Sequence, residues 1–264
     1  MSKAPKPQVI GMIHLKALPG SPLFGGSMDA IEKACLADAQ ALIKGGVHGI
    51  MMENFFDVPF TPGSVDPVTI AAMTRLACAV RQTTDLPLGI NVLRNDATAA
   101  MSIAVACGAA FIRVNVLCGA RVTDQGVIQG CSYDLMRLRK NLGAEHIEVF
   151  ADVDVKHSAP LSARSLKDEV EDTIKRGLAD RIIVSGAGTG KAADPSKINE
   201  VIKYAGKTPV LLGSGANSDN LEELPSGLSG YIVGSSLKKD GLVEMPVDMA
   251  RVKKFVAAAK AARK

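Results

Sequence analysis

The sequence contains no tryptophan, and aromatic residues make up only 4% of its 264 positions. Its core must therefore be filled mainly by Val, Ile, Leu, Met and Ala, within a hydrophobic content of 47%. Cysteine is also sparse: five residues, at 35, 78, 107, 118 and 131, odd in number and without a C-x-x-C pair. That pattern excludes zinc-ligand spacing and a disulfide framework. Cys35, Cys78 and Cys107 stand in alanine-rich helical stretches and read as small core residues. No apolar run approaches the ~20 residues that span a bilayer. The first residues, MSKAPKPQVIGMIH, lack the apolar region of a secretory signal. The expectation is a cytoplasmic protein without a transmembrane segment, for which peripheral association is the remaining kind of membrane contact.

Net charge is nearly absent from most of the chain. Of the 31 basic residues, six (Arg251, Lys253, Lys254, Lys260, Arg263 and Lys264) fall after position 250 with no acidic residue among them. Setting those six aside leaves 25 basic against 27 acidic. The body is close to neutral, which argues against a broad nucleic-acid surface. The basic segment reads as a solvated helix end, cations there complementing the helix dipole, or as a contact for an anionic surface.

Strand-like and helix-like patterns alternate throughout. Strands are expected at 9–14, 49–54, 87–92, 111–115, 147–155, 181–185, 209–213 and 230–234. Helices are expected near 28–45, 66–84, 96–107, 132–142, 165–177, 195–205, 218–224 and 248–262. Eight βα units without a linker predict an α/β fold, a single (β/α)8 barrel over residues 1–264. Ser27, Asp66-Pro67 and Asp194-Pro195 are helix-start signals; Gly45-Gly46, Gly108 and Gly177 are stops. Residues 116–130 exceed an ordinary βα loop, and their TDQGVIQG stretch predicts a small hairpin over the barrel mouth, the place of a lid. Apolar positions on the outer helices are compatible with a homo-oligomer.

Three late apolar runs each end in glycine and serine: RIIVSGAGTG (181–190), PVLLGSGAN (209–217) and YIVGSS (231–236). Glycine past a strand end lets backbone amides approach a ligand, and late βα turns of a barrel hold phosphate. Gly213, Ser214, Gly215, Gly234, Ser235 and Ser236 are the expected phosphate-binding residues, and a phosphorylated small molecule is the expected partner. Gly186–Lys191 has the look of a P-loop, but Ser185 and Ala192 stand where the motif needs glycine and Ser or Thr. It is not a Walker A sequence.

The C-terminal strand ends of such a barrel carry its chemistry. They supply His14, Glu53, Asp152, Asp154 and Lys156 as catalytic candidates. Asn54, Asn91, Arg113, Asn115, Ser185 and Thr189 are candidates for substrate binding. In FADVDVKHS, strand alternation puts Asp152, Asp154 and Lys156 on one face. Such charges are costly to bury unless paired. They form either a structural ion pair or an active site. In the second case Lys156 is a Schiff-base nucleophile, an anion clamp or a proton donor. Asp152 or Asp154 could alternatively hold a divalent cation such as Mg2+ together with Glu53.

The stretches GMIHLKALPGSP (11–22), MENFFDVPF (52–60), IRVNVLCGARVTDQGVIQG (112–130), ADVDVKHSAPL (151–161), VSGAGTG (184–190), LLGSGAN (211–217) and YIVGSSLKKDG (231–241) resemble the BtpA/SgcQ family, in order, from about residue 8 to 256. The resemblance implies a link to photosystem I biogenesis in cyanobacterial members, which associate peripherally with thylakoids. It also implies relatives in organisms without photosynthesis, beside sugar-metabolism genes. Two expectations follow: an enzyme acting on a phosphorylated sugar or nucleotide-like compound by aldol, isomerase or glycosidic chemistry, or a non-catalytic assembly factor for a membrane complex.

Overall fold

Short apolar runs bounded by turn residues become parallel strands because both of their faces are covered, by neighbouring side chains inside and by helices outside. The computed structural model describes residues 8–186 and 194–262. In it, β1 (Gln8–His14), β2 (Gly49–Glu53), β3 (Leu88–Asn91), β4 (Phe111–Val114), β7 (Glu148–Val153), β9 (Arg181–Val184), β10 (Val210–Leu212) and β11 (Gly230–Val233) close into one parallel barrel in that order. The register sets His14 beside Glu53, Glu53 beside Asn91 and Asn91 beside Arg113. The outer layer is α1 (Met28–Gly45), α2 (Pro67–Arg81), α3 (Ala97–Cys107), α4 (Ser132–Asn141), α5 (Leu166–Lys175), α6 (Pro195–Ala205) and α7 (Met249–Ala261). The eight-stranded α/β barrel expected from the alternating pattern is the observed fold.

Local signals act as their chemistry requires. Ser27 caps α1 by accepting from the Ala30 amide, and Gly46 ends it in the left-handed conformation at φ 87°. Asp194 caps α6 before Pro195. The helix expected at 218–224 is instead a 3-10 turn over Leu221–Glu223. There the Asn217 side chain accepts from the Asp219 and Asn220 amides, and Asn220 accepts from the Asn217 amide. These side-chain bonds compete with the helical ladder, and Pro225 prevents its continuation.

The expected hairpin forms from β5 (Ala120–Thr123) and β6 (Gly126–Gln129), and β8 (Ser158–Pro160) adds to the free edge of β5. No helix among the described residues is long and apolar enough to cross a membrane.

Inside the barrel lies a layer made of Ile10, Met12, Met51, Phe111, Phe150, Ile183, Leu211 and Ile232. Phe111 and Phe150 stack with ring centroids 4.4 Å apart. Gly89 makes room for that pair, since a Cβ there would stand 2.1 Å from the Phe111 ring. Gly89→Ala is therefore expected to destabilise the fold by about 1–3 kcal/mol, the usual cost of overpacking. A urea-denaturation midpoint measures the loss. Adding Phe111→Leu to the same variant should recover part of it, because the obstruction is the ring itself.

Candidate functional site

Two residues beyond the apolar layer, each strand places its next inward position: His14, Glu53, Asn91, Arg113, Asp152, Ser185, Gly213 and Gly234. This is the strand period of two applied to Met12, Met51, Gly89, Phe111, Phe150, Ile183, Leu211 and Ile232. Hydrophobic core thus gives way to a ring of polar side chains in a single step. On two neighbouring strands, β10 and β11, the ring has only glycine, and there the mouth opens.

The ring is closed by hydrogen bonds on its filled side. Arg113 meets Asp152 through two parallel contacts, Nε to Oδ2 at 2.8 Å and Nη2 to Oδ1 at 2.9 Å. Asn115 donates to the same carboxylate at 3.0 Å and the Ser185 hydroxyl reaches it at 3.4 Å. Asp152, whose side chain is fully buried, is thus held by a fork and two neutral donors. Asn91 donates to Glu53 Oε2 at 2.5 Å, which fixes a second buried carboxylate beside the cavity.

His14 packs against Phe55 with ring centroids 4.5 Å apart. Burial pushes its pKa down to about 3, and the nearby cations Lys238, Lys156 and Arg113 add to the shift. It is a neutral imidazole near pH 7, and its Nδ1 is buried without a hydrogen-bond partner. The Lys156 amine forms no hydrogen bond or ion pair among the described residues. Its pKa is lowered, first by burial and then by repulsion from Arg113 and Arg94, against the attraction of Glu53 and Asp152.

The open side is a cavity of about 670 Å3 bounded by His14, Glu53, Phe55, Arg113 and Lys156 on one wall. The turns 213–217 and 234–236, the loop 241–244 and Arg251 complete its lining. Ser235 opens a 3-10 turn over Ser235–Leu237, whose first amides have no acceptor within the helix. Ser214 Oγ is buried and unpartnered. The Gly213 amide is already committed to the Val184 carbonyl at 2.8 Å, so Gly213 contributes space and not a donor. A buried pair, Lys238 with Asp38 at 2.6 Å, ties the loop to α1, and Asp38 also accepts from the Val247 amide.

Several expected residues lie elsewhere. The alternation through FADVDVKHS ends at Val153, because Asp154 adopts φ 45°. Its carboxylate turns away from the cavity to Arg121 at 2.6 Å and Lys197 at 2.5 Å, fastening the hairpin to the barrel. Asn54 points off the inward face; it donates to Asp57 and accepts from the Leu93 amide, joining the loops after β2 and β3. Thr189 lies outside the described residues. The described residues bring together no group of three or more His, Cys, Asp or Glu able to hold a metal ion. For the Mg2+ expectation, Asp152 is occupied by Arg113, and Asp154 is turned away from Glu53.

Sequence reasoning missed Phe55 and Arg251. Phe55 follows a strand end in a loop whose course no pattern gives. Arg251 was grouped with the basic C-terminal segment, yet it lines the cavity and donates from Nε to the Ser236 carbonyl at 3.0 Å. The signal available was its position in the first turn of the helix that follows the eighth barrel strand, beside the usual phosphate turn.

Residues 5–261 match the model of the BtpA family. A protein of Thermococcus kodakarensis is 48% identical over 97% of this chain and 96% of its own length. The photosystem I biogenesis protein BtpA of Synechocystis is 45% identical over 95% of this chain and 87% of its own. Among solved structures, N-(5'-phosphoribosyl)anthranilate isomerase from Pyrococcus furiosus superposes with a TM-score of 0.59 at 15% identity, covering 96% of this chain and 99% of that one. That likeness is one of fold.

Two outcomes follow from the polar ring. Asp152→Ala strands the buried Arg113 charge and should cost about 3–5 kcal/mol in denaturant unfolding, with much of the loss recovered in Arg113→Met/Asp152→Ala. His14 binds its proton near pH 3 when folded and near 6.5 when unfolded. Between those values the unfolded chain holds the extra proton, so this stabilisation is complete above about pH 6.5 and is lost as pH falls toward 3. His14→Gln should remove on the order of 1–3 kcal/mol of the stability difference between pH 7 and pH 4. An unchanged difference would show that His14 titrates normally.

Proposed function

The chain belongs to the BtpA family, and on that premise we propose that it is an enzyme that carries out proton transfer on a phosphorylated small molecule held across the barrel mouth. The observation that carries this reading is the Lys156 amine. It is partly buried, unpartnered among the described residues and depressed in pKa, and it shares a cavity with Glu53 and two glycine-rich turns. A lowered pKa enlarges the neutral fraction of the amine, as a base or a carbonyl-attacking nucleophile requires. Glu53, held by Asn91, is its counterpart for returning or removing a proton. Neutral His14 offers a hydrogen bond from within the wall. Arg113, Asp152, Asn115 and Ser185 position the ring.

Phosphate is assigned to the opposite wall. The amides after β10 and β11, the Ser214 hydroxyl and Arg251 supply donors and charge of the required sign, while Gly213 and Gly234 keep the wall open. The fold neighbour named for a phosphoribosyl compound gives the same direction by analogy. Aldol cleavage, isomerisation and glycosidic cleavage all begin with steps that this Lys–Glu pair could perform. Asp154 is assigned to holding the hairpin, which covers the mouth as a lid. The protein is taken to act in the cytoplasm.

A second reading is an assembly factor for a membrane complex. It is supported by the name of the Synechocystis relative and by the exposed basic residues of α7, Arg251, Lys253, Lys254 and Lys260.

Thermal-shift titration separates the two readings. The enzyme reading expects ribose 5-phosphate to raise the melting temperature where ribose does not, and Arg251→Ala to weaken that ligand about tenfold or more. Lys156→Met should retain the shift and lose function in a complementation assay. Equal shifts with both sugars would end the phosphate assignment. Full complementation by Lys156→Met, together with loss of function in Lys253→Glu/Lys260→Glu, would favour the assembly reading.

A further inference from the structure

The cavity has a second lobe. About 480 Å3 lies on the hairpin side of the mouth, and it shares Glu53, Phe55, Arg113 and Lys156 with the first lobe. The shared residues form the seam between the two spaces. On the far side of that seam, the wall is built from Val58, Phe60 and Leu93, together with Asn115 and Gln125, and Arg94, Asp124 and His157 complete it. No glycine turn borders this lobe, Arg94 is matched there by Asp124, and three of these side chains are apolar.

Unpartnered polar atoms divide between the lobes. Among the described residues, four buried side-chain atoms lack a hydrogen-bond partner: His14 Nδ1, Ser214 Oγ, Asn115 Oδ1 and Gln125 Oε1. The first two border the phosphate lobe and the last two border the second lobe. Asn115 spends its amide nitrogen on Asp152, and Gln125 donates to Asp124. What each has left is a carbonyl oxygen, an acceptor only. A buried acceptor without a donor is costly, and both oxygens belong to side chains that line the second lobe, the space from which a donor would come. An anion cannot supply one. An aliphatic chain would suit the wall and leave the oxygens unsatisfied.

We propose that the ligand is a phosphorylated sugar joined to a planar, nitrogen-containing ring that carries a hydrogen-bond donor, of the size of a nucleoside monophosphate. Its phosphate lies against the glycine turns, its ring lies between Phe55 and Phe60, and its ring–sugar bond lies over Glu53 and Lys156. The phosphate half rests on the function proposed above, whereas the ring half rests on the second lobe alone. Apolar walls take the faces of the ring, and Asn115 and Gln125 take its edge. This is the division of labour expected where a few polar groups orient a ligand in an apolar pocket. The placement of the linking bond explains why acid–base groups gather at the seam and not at the floor of either lobe.

Isothermal titration of the full chain with ribose, ribose 5-phosphate, a panel of nucleosides and their 5'-monophosphates tests both halves. The expected result is that at least one nucleoside monophosphate binds about tenfold or more tightly than ribose 5-phosphate, the scale of one aromatic stacking contact. Phe60→Ala and Gln125→Leu should each erode that preference while leaving ribose 5-phosphate unchanged. Arg251→Ala should weaken both ligands alike. If no monophosphate exceeds ribose 5-phosphate, the ring assignment is overturned and the phosphate assignment stands. If phosphate adds nothing, the phosphate assignment fails and the nucleosides decide the ring. Binding tighter than ribose that is lost in Phe60→Ala supports the second lobe, and parity with ribose overturns it.

Discussion

The fork between Arg113 and Asp152 is the interaction on which the barrel mouth depends. A guanidinium and a carboxylate this deeply buried are tolerated only when each satisfies the other and the remaining lone pairs find donors. Here β4 brings the arginine, β7 the aspartate, and Asn115 and Ser185 complete the carboxylate's shell. The pair also sets the electrostatics around it. The Arg113 charge repels protons from both Lys156 and His14, so one structural contact helps to lower the pKa of two neighbouring bases. Stability and chemistry are tied to the same guanidinium.

Where the ring of polar side chains is interrupted, glycine is required twice over. At Gly234 a Cβ would stand 2.7 Å from the His14 ring, and at Gly213 it would stand 2.5 Å from Ile183 and 2.7 Å from the Ser185 hydroxyl. The glycines let the filled side of the ring keep its geometry and leave the other side open to a ligand. The cavity is therefore a consequence of side chains omitted at the ends of β10 and β11, and its walls belong to the barrel as well as to its loops. Lys238 and Asp38 extend that rigidity outward, anchoring the 241–244 loop to α1 through a buried ion pair.

Strand positions were legible in the sequence because a buried parallel strand is an apolar run, and its inward residues follow a period of two from any one anchor. His14, Glu53, Asn91, Arg113, Asp152 and Ser185 all obey that rule. It failed where the backbone left the extended region. The positive φ of Asp154 reverses the side-chain direction that alternation assigns, and nothing in the residue type announces that reversal, although Asp tolerates the conformation better than most. Asn54, one residue off the inward register, looked equivalent to Glu53 by chemistry and is separated from it by geometry. The 218–224 segment has helical apolar spacing, and its asparagines redirect the backbone bonds. Arg251 and the second lobe depend on tertiary proximity between segments far apart in the chain, which no local pattern encodes.

The fixed charges of the mouth also explain how a ligand could change the site it enters. Arg113 and Asp152 compensate each other, leaving Lys156, Arg94 and Arg251 against Glu53, Glu244 and Asp124 around the two lobes. Around the amine itself, burial and the Arg113 and Arg94 charges disfavour a proton on Lys156. Arrival of a phosphate opposes that effect: its negative charge lowers the cost of protonating the amine. The unliganded protein thus holds the Lys156 pKa below its ordinary value, and an anionic ligand would raise it again. Proton uptake by Lys156 would in this way be coupled to occupancy of the cavity by an anion, so that a proton from a bound molecule would be accepted more readily than one from solvent before the ligand arrives.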